Sequence, residues 1–362
     1  MAPRKPTFFW FVAPHKPSIT QGISRWIFDV VKMAYADATM KIKTRAFAPY
    51  LAPEPAFSRR PTGNTFAKRA ITIIESNNAS QTPLFIYLPF QSVHSPNQVP
   101  KKYENMYPSI KNDSRRIYCG MVTALDEAIG NITAALNKHG YMDNLLIVFT
   151  TDNGGPVNHG SNNLPLRGAK TTLWEGGTKG VAFMYSKTLL RKKGYVNTDL
   201  VHAVDWYPTL LAAAGAGSDV DSHIDGVNQW PALSQNLPTN RTEFIYNIDD
   251  IKGNGAIRVG DYKLIEGNPG KYNTWYPLPG MDGHLDIQAD DTENKKYKPQ
   301  LFNIKDDPTE HFDLAKRMPE MVQQLQKRLA KYRESLVPAR YPPRDPASNP
   351  KFYNGVWTPG WC

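Results

Sequence analysis

The sequence has few cysteines and no long apolar run, and each shortage excludes a class of protein. Its 362 residues include only two cysteines, Cys119 and Cys362, too few for the disulfide framework of a small secreted scaffold. No stretch is long enough to cross a membrane as an apolar helix, so we expect no transmembrane segment. No cluster of Cys or His has the spacing of a zinc site. The length is sufficient for one large α/β domain and a smaller one.

Basic residues are concentrated at the start of the chain. The net charge is +10, but residues 1–60 hold ten Lys and Arg against three Asp and Glu, while the remainder holds 33 against 30. No module combining basic and aromatic residues is visible, so we expect no nucleic-acid partner. The apolar run in MAPRKPTFFWFVAP is short and lacks a convincing small-residue cleavage site. We therefore do not predict a signal peptide there.

Apolar runs and helical stripes alternate from residue 62 onward. PLFIYLPF and LLIVFTT are compact apolar strands, and the second suits a central strand covered on both faces. The helix predicted in SRRIYCGMVTALDEAIGNITAALNKHG buries a stripe with three-to-four spacing. This alternation predicts a mostly parallel sheet with helices on both faces. The stripe consists of Met121, Val122, Leu125, Ile129, Ile132 and Leu136.

The pattern changes after Arg241. Short strands in FIYNID, GAIRVGDYKLIEG and QLFNI, with a turn at Gly260-Asp261, predict a small antiparallel sheet closed by the helix PEMVQQLQKRLAKYRESL. The predicted division is a divergent basic segment at 1–61, an α/β part at 62–241, a small α+β subdomain at 242–337 and a Pro-rich tail at 338–362.

The segment TTDNGG carries the strongest sign of chemistry. Asp152 and Asn153 directly follow an apolar strand, and ligands of α/β sheets bind at the carboxyl ends of strands. A carboxylate and an amide oxygen suit a hard cation, calcium above all. The same residues also suit an Asx-turn that caps the following loop, and the pattern alone does not choose between the two.

Two further polar residues occur in comparable positions. His94 follows the strand at residues 83–90, where an imidazole is able to donate to an anion or protonate a leaving group. Lys170 lies in the glycine-rich segment PLRGAKTTLWEGG, where an ammonium is able to neutralise an oxyanion. Taken singly, each is more typical of an ordinary surface residue than of a functional one.

Together these segments resemble a known family. The chain is similar to the sulfatases, and most closely to their arylsulfatase B type (N-acetylgalactosamine-4-sulfatase). The similar segments follow the family order over about residues 62–361. They are TGNTFAKRAITII, PLFIYLPFQSVHSPNQVP, YCGMVTALDEAIGNITAAL, VFTTDNGG, NNLPLRGAKTTLWEGG, AVDWYPTLL, AIRVGDYKLIEG, LFNIKDDPTEHFDLA and GVWTPGW.

The resemblance implies a fold, a reaction and four site residues. The fold would be alkaline-phosphatase-like, truncated at its N-terminal part, with a small C-terminal α+β subdomain. The reaction would be hydrolysis of a sulfate ester on a sugar or an aryl alcohol. Asp152 and Asn153 correspond to ligands of the family's calcium ion, and Lys170 to the lysine that holds the sulfate oxygens. His94 corresponds to the histidine that helps the leaving oxygen depart.

The family also implies a lysosomal or secreted location. Four Asn-X-Ser/Thr triplets permit glycosylation, as expected for such a protein. They begin at Asn78, Asn112, Asn131 and Asn240.

The sequence departs from the family at the nucleophile. Sulfatases make a formylglycine from a C-x-P-S-R type motif, which this chain lacks, since Cys119 precedes Gly-Met-Val-Thr and nothing follows Cys362. The N-terminal pair of metal-binding aspartates and the G-K-W-H segment are also absent. We expect the chain as written to be inactive, to bind calcium weakly with half a ligand set, and to expose a strand edge where early strands are missing.

Three explanations remain open. The sequence is an incomplete form of a true sulfatase, which we favour because every later motif is intact. Alternatively, it is a non-catalytic protein that binds sulfated glycans. The third is a diverged phosphodiesterase of the alkaline phosphatase superfamily. We favour it least, because such enzymes need a histidine ligand for zinc where this chain has Asn153.

Overall fold

The computed structural model describes residues 7–13, 62–216, 223–277 and 297–358. Its first sheet has four strands in the order β2-β1-β3-β4. The first three run parallel, and the edge strand β4 is antiparallel to β3. This confirms the prediction of a mostly parallel sheet. The strands are β1 (Thr7–Ala13), β2 (Phe85–Pro89), β3 (Leu145–Thr151) and β4 (Ala182–Tyr185).

Strand β1 comes from the basic N-terminal segment and lies in the middle of the sheet. Its backbone pairs with β2 along one side and with β3 along the other. The sequence does not predict this strand, because a single seven-residue apolar run has no turn or helix beside it to reveal its pairing. At the sheet's edge, Phe183 and Tyr185 of β4 are exposed.

Two helices cover one face of this sheet. They are α1 (Thr62–Glu75) and α3 (Asp113–Lys138), with the single turn α2 (Lys101–Glu104) between them. The Asn112 side chain starts α3 by accepting a hydrogen bond from the Arg115 amide at 2.9 Å. The predicted stripe of α3 is largely correct, but Val122 is exposed because the buried face follows Leu125, Ala128 and Ile132 instead.

The opposite face is covered by α5 (Trp206–Ala213). Trp206 and Leu210 of this helix pack with Leu146 and Val148 of β3 in one apolar cluster. Strand β3 is therefore buried on both faces, as its apolar sequence predicts. Two short helices lie in the connections, α4 (Glu175–Thr178) and α6 (Trp230–Gln235).

The second sheet is antiparallel, in the order β5-β6-β7-β8. The turn between β6 and β7 lies at Gly260, which has a positive φ of 55° and so the conformation that glycine favours. Helix α7 packs Leu325 and Leu329 against the sheet. The elements are β5 (Glu243–Asp249), β6 (Asn254–Val259), β7 (Tyr262–Glu266), β8 (Gln300–Asn303) and α7 (Pro319–Glu334).

A buried ion pair joins the two sheets' domains. Arg241, just before β5, donates from Nε and Nη2 to the two carboxylate oxygens of Asp205, at 2.7 and 2.5 Å. Asp205 also accepts from the backbone amides of His202 and Val227, both at 2.8 Å.

Within the described ranges, none of the helices combines the length and apolar character needed to span a membrane.

Candidate functional site

Asp152 lies at the carboxyl end of β3, the position that the sequence indicates. The residue is partly exposed to solvent and lines a large cleft. Desolvation raises the pKa of the carboxyl from its ordinary 3.8 to about 6, and the positive charge of Lys170 opposes this rise. Because water still reaches the carboxylate, screening keeps its effect on stability small.

Asn153 presents an amide oxygen that has no partner among the described residues. Its Nδ2 donates to the Gly154 carbonyl at 2.8 Å, while its Oδ1 is buried without a hydrogen bond. A buried acceptor left unpaired costs about 1–3 kcal/mol, so its retention calls for an explanation. A hard cation bound by Oδ1 and by the Asp152 carboxylate supplies one.

These two oxygen donors fit a divalent cation, but they make only part of a ligand set. The described ranges contain no group of three or more His, Cys, Asp or Glu side chains placed to hold a metal ion. Calcium takes six to eight oxygen ligands in proteins. With only Asp152 and Asn153 contributing, the other positions fall to water, which predicts weak binding.

Residues 152–155, which we call the tip of β3, are held by close backbone contact with helix α4. The Gly154 amide donates to the Gly177 carbonyl at 3.0 Å. A Cβ atom built on Gly154 would lie 1.7 Å from the Gly176 oxygen. Only glycine fits such an approach, so the segment TTDNGG and the segment WEGG are one packed unit.

Asn163 fixes the next residue of the tip, and the sequence does not single it out. Its Oδ1 accepts from the Gly155 amide and its Nδ2 donates to the Gly155 carbonyl, both at 2.8 Å. Nδ2 also reaches the Gly168 carbonyl at 3.2 Å. The signal available in the sequence is the Asn162-Asn163 pair before PLRGAK, which is also typical of an ordinary loop.

Lys170 shares the cleft with the tip. Its backbone amide donates to the Gly155 carbonyl at 3.2 Å, which ties its loop to the tip. Its side chain lines the same cleft as Asp152 and Asn153, and its charge acts on the Asp152 carboxyl. The structure therefore brings three of the four residues from the sequence into one hollow.

His94 is the exception. It lies five residues beyond β2 and is half-buried, with Nδ1 2.7 Å from the Ser95 carbonyl oxygen. Tyr87 and Pro89 of the preceding strand line the cleft, but His94 is not among the described residues that do. Burial raises the pKa of Tyr87 to about 12, and the negative charge of Asp152 adds to the rise.

The cleft is larger than a small-molecule site. Its volume is 2790 Å³, against about 300–1,000 Å³ for typical ligand pockets. It opens beside strand β4 and reaches the start of the second sheet. Its charged lining is mixed. The basic residues are Lys170, Lys179, Lys192, Lys193, Arg241, Arg258 and Lys305, and the acidic ones are Asp152, Glu175, Asp199, Asp225 and Asp261.

Three strands of the first sheet and the whole of the second sheet fall within segments that match known families, whereas β1 precedes the matched residues. Residues 28–216 match the family model described as Sulfatase. Residues 239–350 match the model described as the C-terminal region of aryl-sulfatase. The first match includes β2, β3, the tip and the Lys170 loop, and the second includes the antiparallel sheet and α7.

Curated relatives agree with these matches. Arylsulfatase J of Mus musculus is 40% identical over 318 residues, which is 81% of this chain and 52% of the relative. N-acetylgalactosamine-6-sulfatase of Canis lupus familiaris is 27% identical over 285 residues, 73% of this chain and 52% of the relative. The chain thus spans about half the length of the curated relatives it matches.

Solved structures show the same fold. The crystal structure of Ps i-CgsB in complex with k-i-k-neocarrahexaose has a TM-score of 0.61 at 29% identity, over 75% of this chain and 54% of that one. The PsFucS1 sulfatase from Pseudoalteromonas sp. has a TM-score of 0.56 at 26% identity, over 77% of this chain and 53% of that one.

Proposed function

This chain belongs to the sulfatase family, and from that premise we propose that its cleft is the sulfate-ester site of a sulfuric ester hydrolase acting on a sulfated glycan. The observation that carries the proposal is the tip of β3. There the Asp152 carboxylate, the unpaired Asn153 oxygen and the Lys170 side chain line one hollow. The size of the cleft suits an extended sugar chain better than a single small aryl ester.

We assign the cation at this site as calcium, held by Asp152 and Asn153. Both side chains offer oxygen, the donor that calcium prefers. When bound, calcium neutralises negative charge on the oxygens of the sulfuryl group during transfer. Lys170 places a second positive charge in the same cleft, where it is able to hold a sulfate oxygen by a charge-assisted hydrogen bond.

His94 is proposed to help the leaving oxygen depart. Because Nδ1 is 2.7 Å from the Ser95 carbonyl, which only accepts hydrogen bonds, Nδ1 carries a proton. In the neutral ring Nε2 is then an acceptor, and it donates a proton to a leaving oxygen only as the imidazolium.

The described site supplies charge and orientation but no nucleophile. The sequence contains no C-x-P-S-R type motif for a formylglycine. We therefore expect the 362-residue chain taken alone to bind a sulfated glycan without turning over an aryl sulfate. A second candidate function, a sulfated-glycan-binding protein without catalysis, rests on the lysines of the cleft, of which Lys170, Lys192 and Lys193 are examples.

A secretory route, lysosomal or extracellular, is proposed from the glycosylation triplets. Asn78, Asn131 and Asn240 are exposed, whereas Asn112 is buried and caps α3 through its side-chain oxygen. We expect glycans at the exposed positions and none at Asn112. Peptide mass mapping after expression in a secreting eukaryotic cell tests this, and an occupied Asn112 would contradict it.

Binding of sulfated oligosaccharide tests the proposed site. We expect the chain with Ca²⁺ to bind a fluorescent chondroitin sulfate oligosaccharide and not its desulfated form. Lys170→Ala should weaken binding about tenfold, the effect of losing one charge-assisted hydrogen bond. Lys252→Ala is the matched control, since Lys252 is exposed in the turn between β5 and β6 and is not among the residues that line the cleft. Equal affinities for both oligosaccharides, or equal effects of both substitutions, contradict the proposal.

A further inference from the structure

A lysine is completely buried between the two domains. Lys263, in β7, has no exposed surface, and its Nζ lies 2.9 Å from Glu175 Oε1 and 2.8 Å from Glu310 Oε1. Glu175 is 3% exposed and Glu310 is not exposed at all. Lysine and glutamate are almost never fully buried unless paired. We refer to Lys263, Glu175 and Glu310 as the Lys263 triad.

Stability alone is a poor reason for such a triad. Removing these charges from water costs several kcal/mol per ion. Replacing a buried ion pair by well-packed apolar residues often leaves the stability of a protein unchanged or raises it. In some proteins a buried charge cluster is retained because it fixes the geometry of the groups around it. The question is therefore which part of the molecule the triad holds in place.

Within the triad, Glu310 and Lys263 bind Glu175 at its main chain and at its side chain, respectively. Glu310 Oε2 accepts from the Glu175 amide at 2.8 Å. The Glu175 carboxylate accepts one hydrogen bond from the Lys263 ammonium and another, at 2.7 Å, from the Tyr246 hydroxyl. Glu175 begins helix α4, so the second sheet fixes the position of that helix through these contacts.

Helix α4 in turn holds the tip of β3. Gly177 accepts the Gly154 amide, and the Gly176 carbonyl fills the space beside the Gly154 backbone. Gly176 also donates to the Arg167 carbonyl at 2.7 Å. The Arg167 guanidinium reaches the Glu310 carbonyl at 3.3 Å and lies over the Trp174 ring. An unbroken set of contacts thus runs from β7 to the residue after Asn153.

We propose that Lys263 is a positioning residue for the cation site: through Glu175 and helix α4, it holds Asp152 and Asn153 in the geometry that binds the cation. The inference rests on the proposed function insofar as it takes the tip to be the cation site. It adds to that function a role for the second sheet, because Lys263 acts through Glu175 and is not among the described residues that line the cleft.

The titration of the two glutamates agrees with this arrangement. Burial favours the neutral acid, but Lys263 and the Tyr246 hydroxyl outweigh it and lower the pKa of Glu175. Burial, together with the negative charge of Glu175, raises the pKa of Glu310 against the effect of Lys263. Glu175 is thus the carboxylate that Lys263 keeps charged, as expected for the residue that anchors α4.

Hydrogen–deuterium exchange with the full chain tests the inference without any metal. We expect Lys263→Met, which keeps most of the apolar stem, to speed exchange at the amides of Gly154 and Gly176. Exchange in helix α3, which is remote from the triad, should stay unchanged. Lys252→Met is the control, because it removes an exposed lysine from the turn between β5 and β6. Unchanged exchange at Gly154 and Gly176, or an equal increase in α3, overturns the inference.

Calcium titration then separates this inference from the proposed function. Loss of a group that orients metal ligands typically weakens metal binding about 10–100-fold, so we expect at least a tenfold loss of Ca²⁺ affinity in Lys263→Met and none in Lys252→Met. A wild-type chain that binds no Ca²⁺ contradicts the proposed function, while the exchange data still decide the inference.

Should Lys263→Met not fold, Tyr246→Phe removes one hydrogen-bond donor to Glu175. Faster exchange at Gly154 in that variant supports the inference, and unchanged exchange overturns it.

Discussion

Gly154 and Gly176 lie so close that no side chain fits between them. A Cβ on Gly154 would come within 1.7 Å of the Gly176 oxygen, a backbone atom that cannot turn aside. The two glycines belong to separate segments, one at the tip of β3 and one in α4. Through this contact, Asp152 and Asn153 at the tip of β3 are joined to helix α4.

Gly154→Ala should displace the tip and lower stability. The added methyl group forces α4 and the tip apart, and overpacking of this kind typically costs about 1–3 kcal/mol. Urea unfolding and a calcium titration are the measurements. Gly130→Ala is the matched control, since a Cβ there meets nothing within 4 Å in helix α3 and alanine favours the helix by up to about 1 kcal/mol. Equal effects of the two substitutions contradict the tight contact.

Much of this tip is predictable from sequence, because its evidence is local. LLIVFTT is apolar throughout, Asp152 and Asn153 follow it directly, and two glycines follow them. The period of α3 and the turn at Gly260 are local in the same sense. Each of these features is contained within one helix, one strand or one turn.

The rest depends on pairing between distant residues. Lys263 stands in YKLIE, where a charged residue normally faces water, and its partner Glu175 is 88 residues away. Asn163 is one of two adjacent asparagines in a loop, and only its contacts with Gly155 distinguish it. The central place of β1 follows from pairing with strands far along the chain. Local pattern carries no information on such partners.

Calcium binding should depend on pH through Asp152. Desolvation raises the pKa of this carboxyl to about 6, so protons compete with the cation below that pH. We expect the Ca²⁺ affinity to rise between pH 5 and pH 7 and then to level off, as followed by calorimetry. An affinity that is constant across this range contradicts the assignment of Asp152 as a ligand.

The metal-free chain should show the opposite trend in stability. Because the folded-state pKa is raised, the contribution of Asp152 to stability is fully present below its ordinary pKa of 3.8 and is lost as the pH rises through about 6. Asp152→Asn removes this titration, so the variant should gain on the wild type as the pH rises from 4 to 7. Urea unfolding at several pH values measures the difference, and parallel curves contradict it.

Asp205→Ala should destabilise the junction between the domains. The substitution leaves the largely buried Arg241 without its carboxylate, and breaking such a pair costs about 3–5 kcal/mol. Urea unfolding measures the loss. Asp143→Ala breaks an exposed pair with Lys187 and should change stability little. Similar losses in the two variants contradict a special role for Asp205.

The central claim is that Asp152 and Asn153 together bind a divalent cation. Calorimetric titration of Ca²⁺ into the wild-type chain and into Asp152→Asn/Asn153→Ala tests it most directly. We expect one weakly bound Ca²⁺ in the wild type, because only two side chains contribute ligands, and no measurable binding in the double variant. Equal binding by the two proteins would contradict the claim.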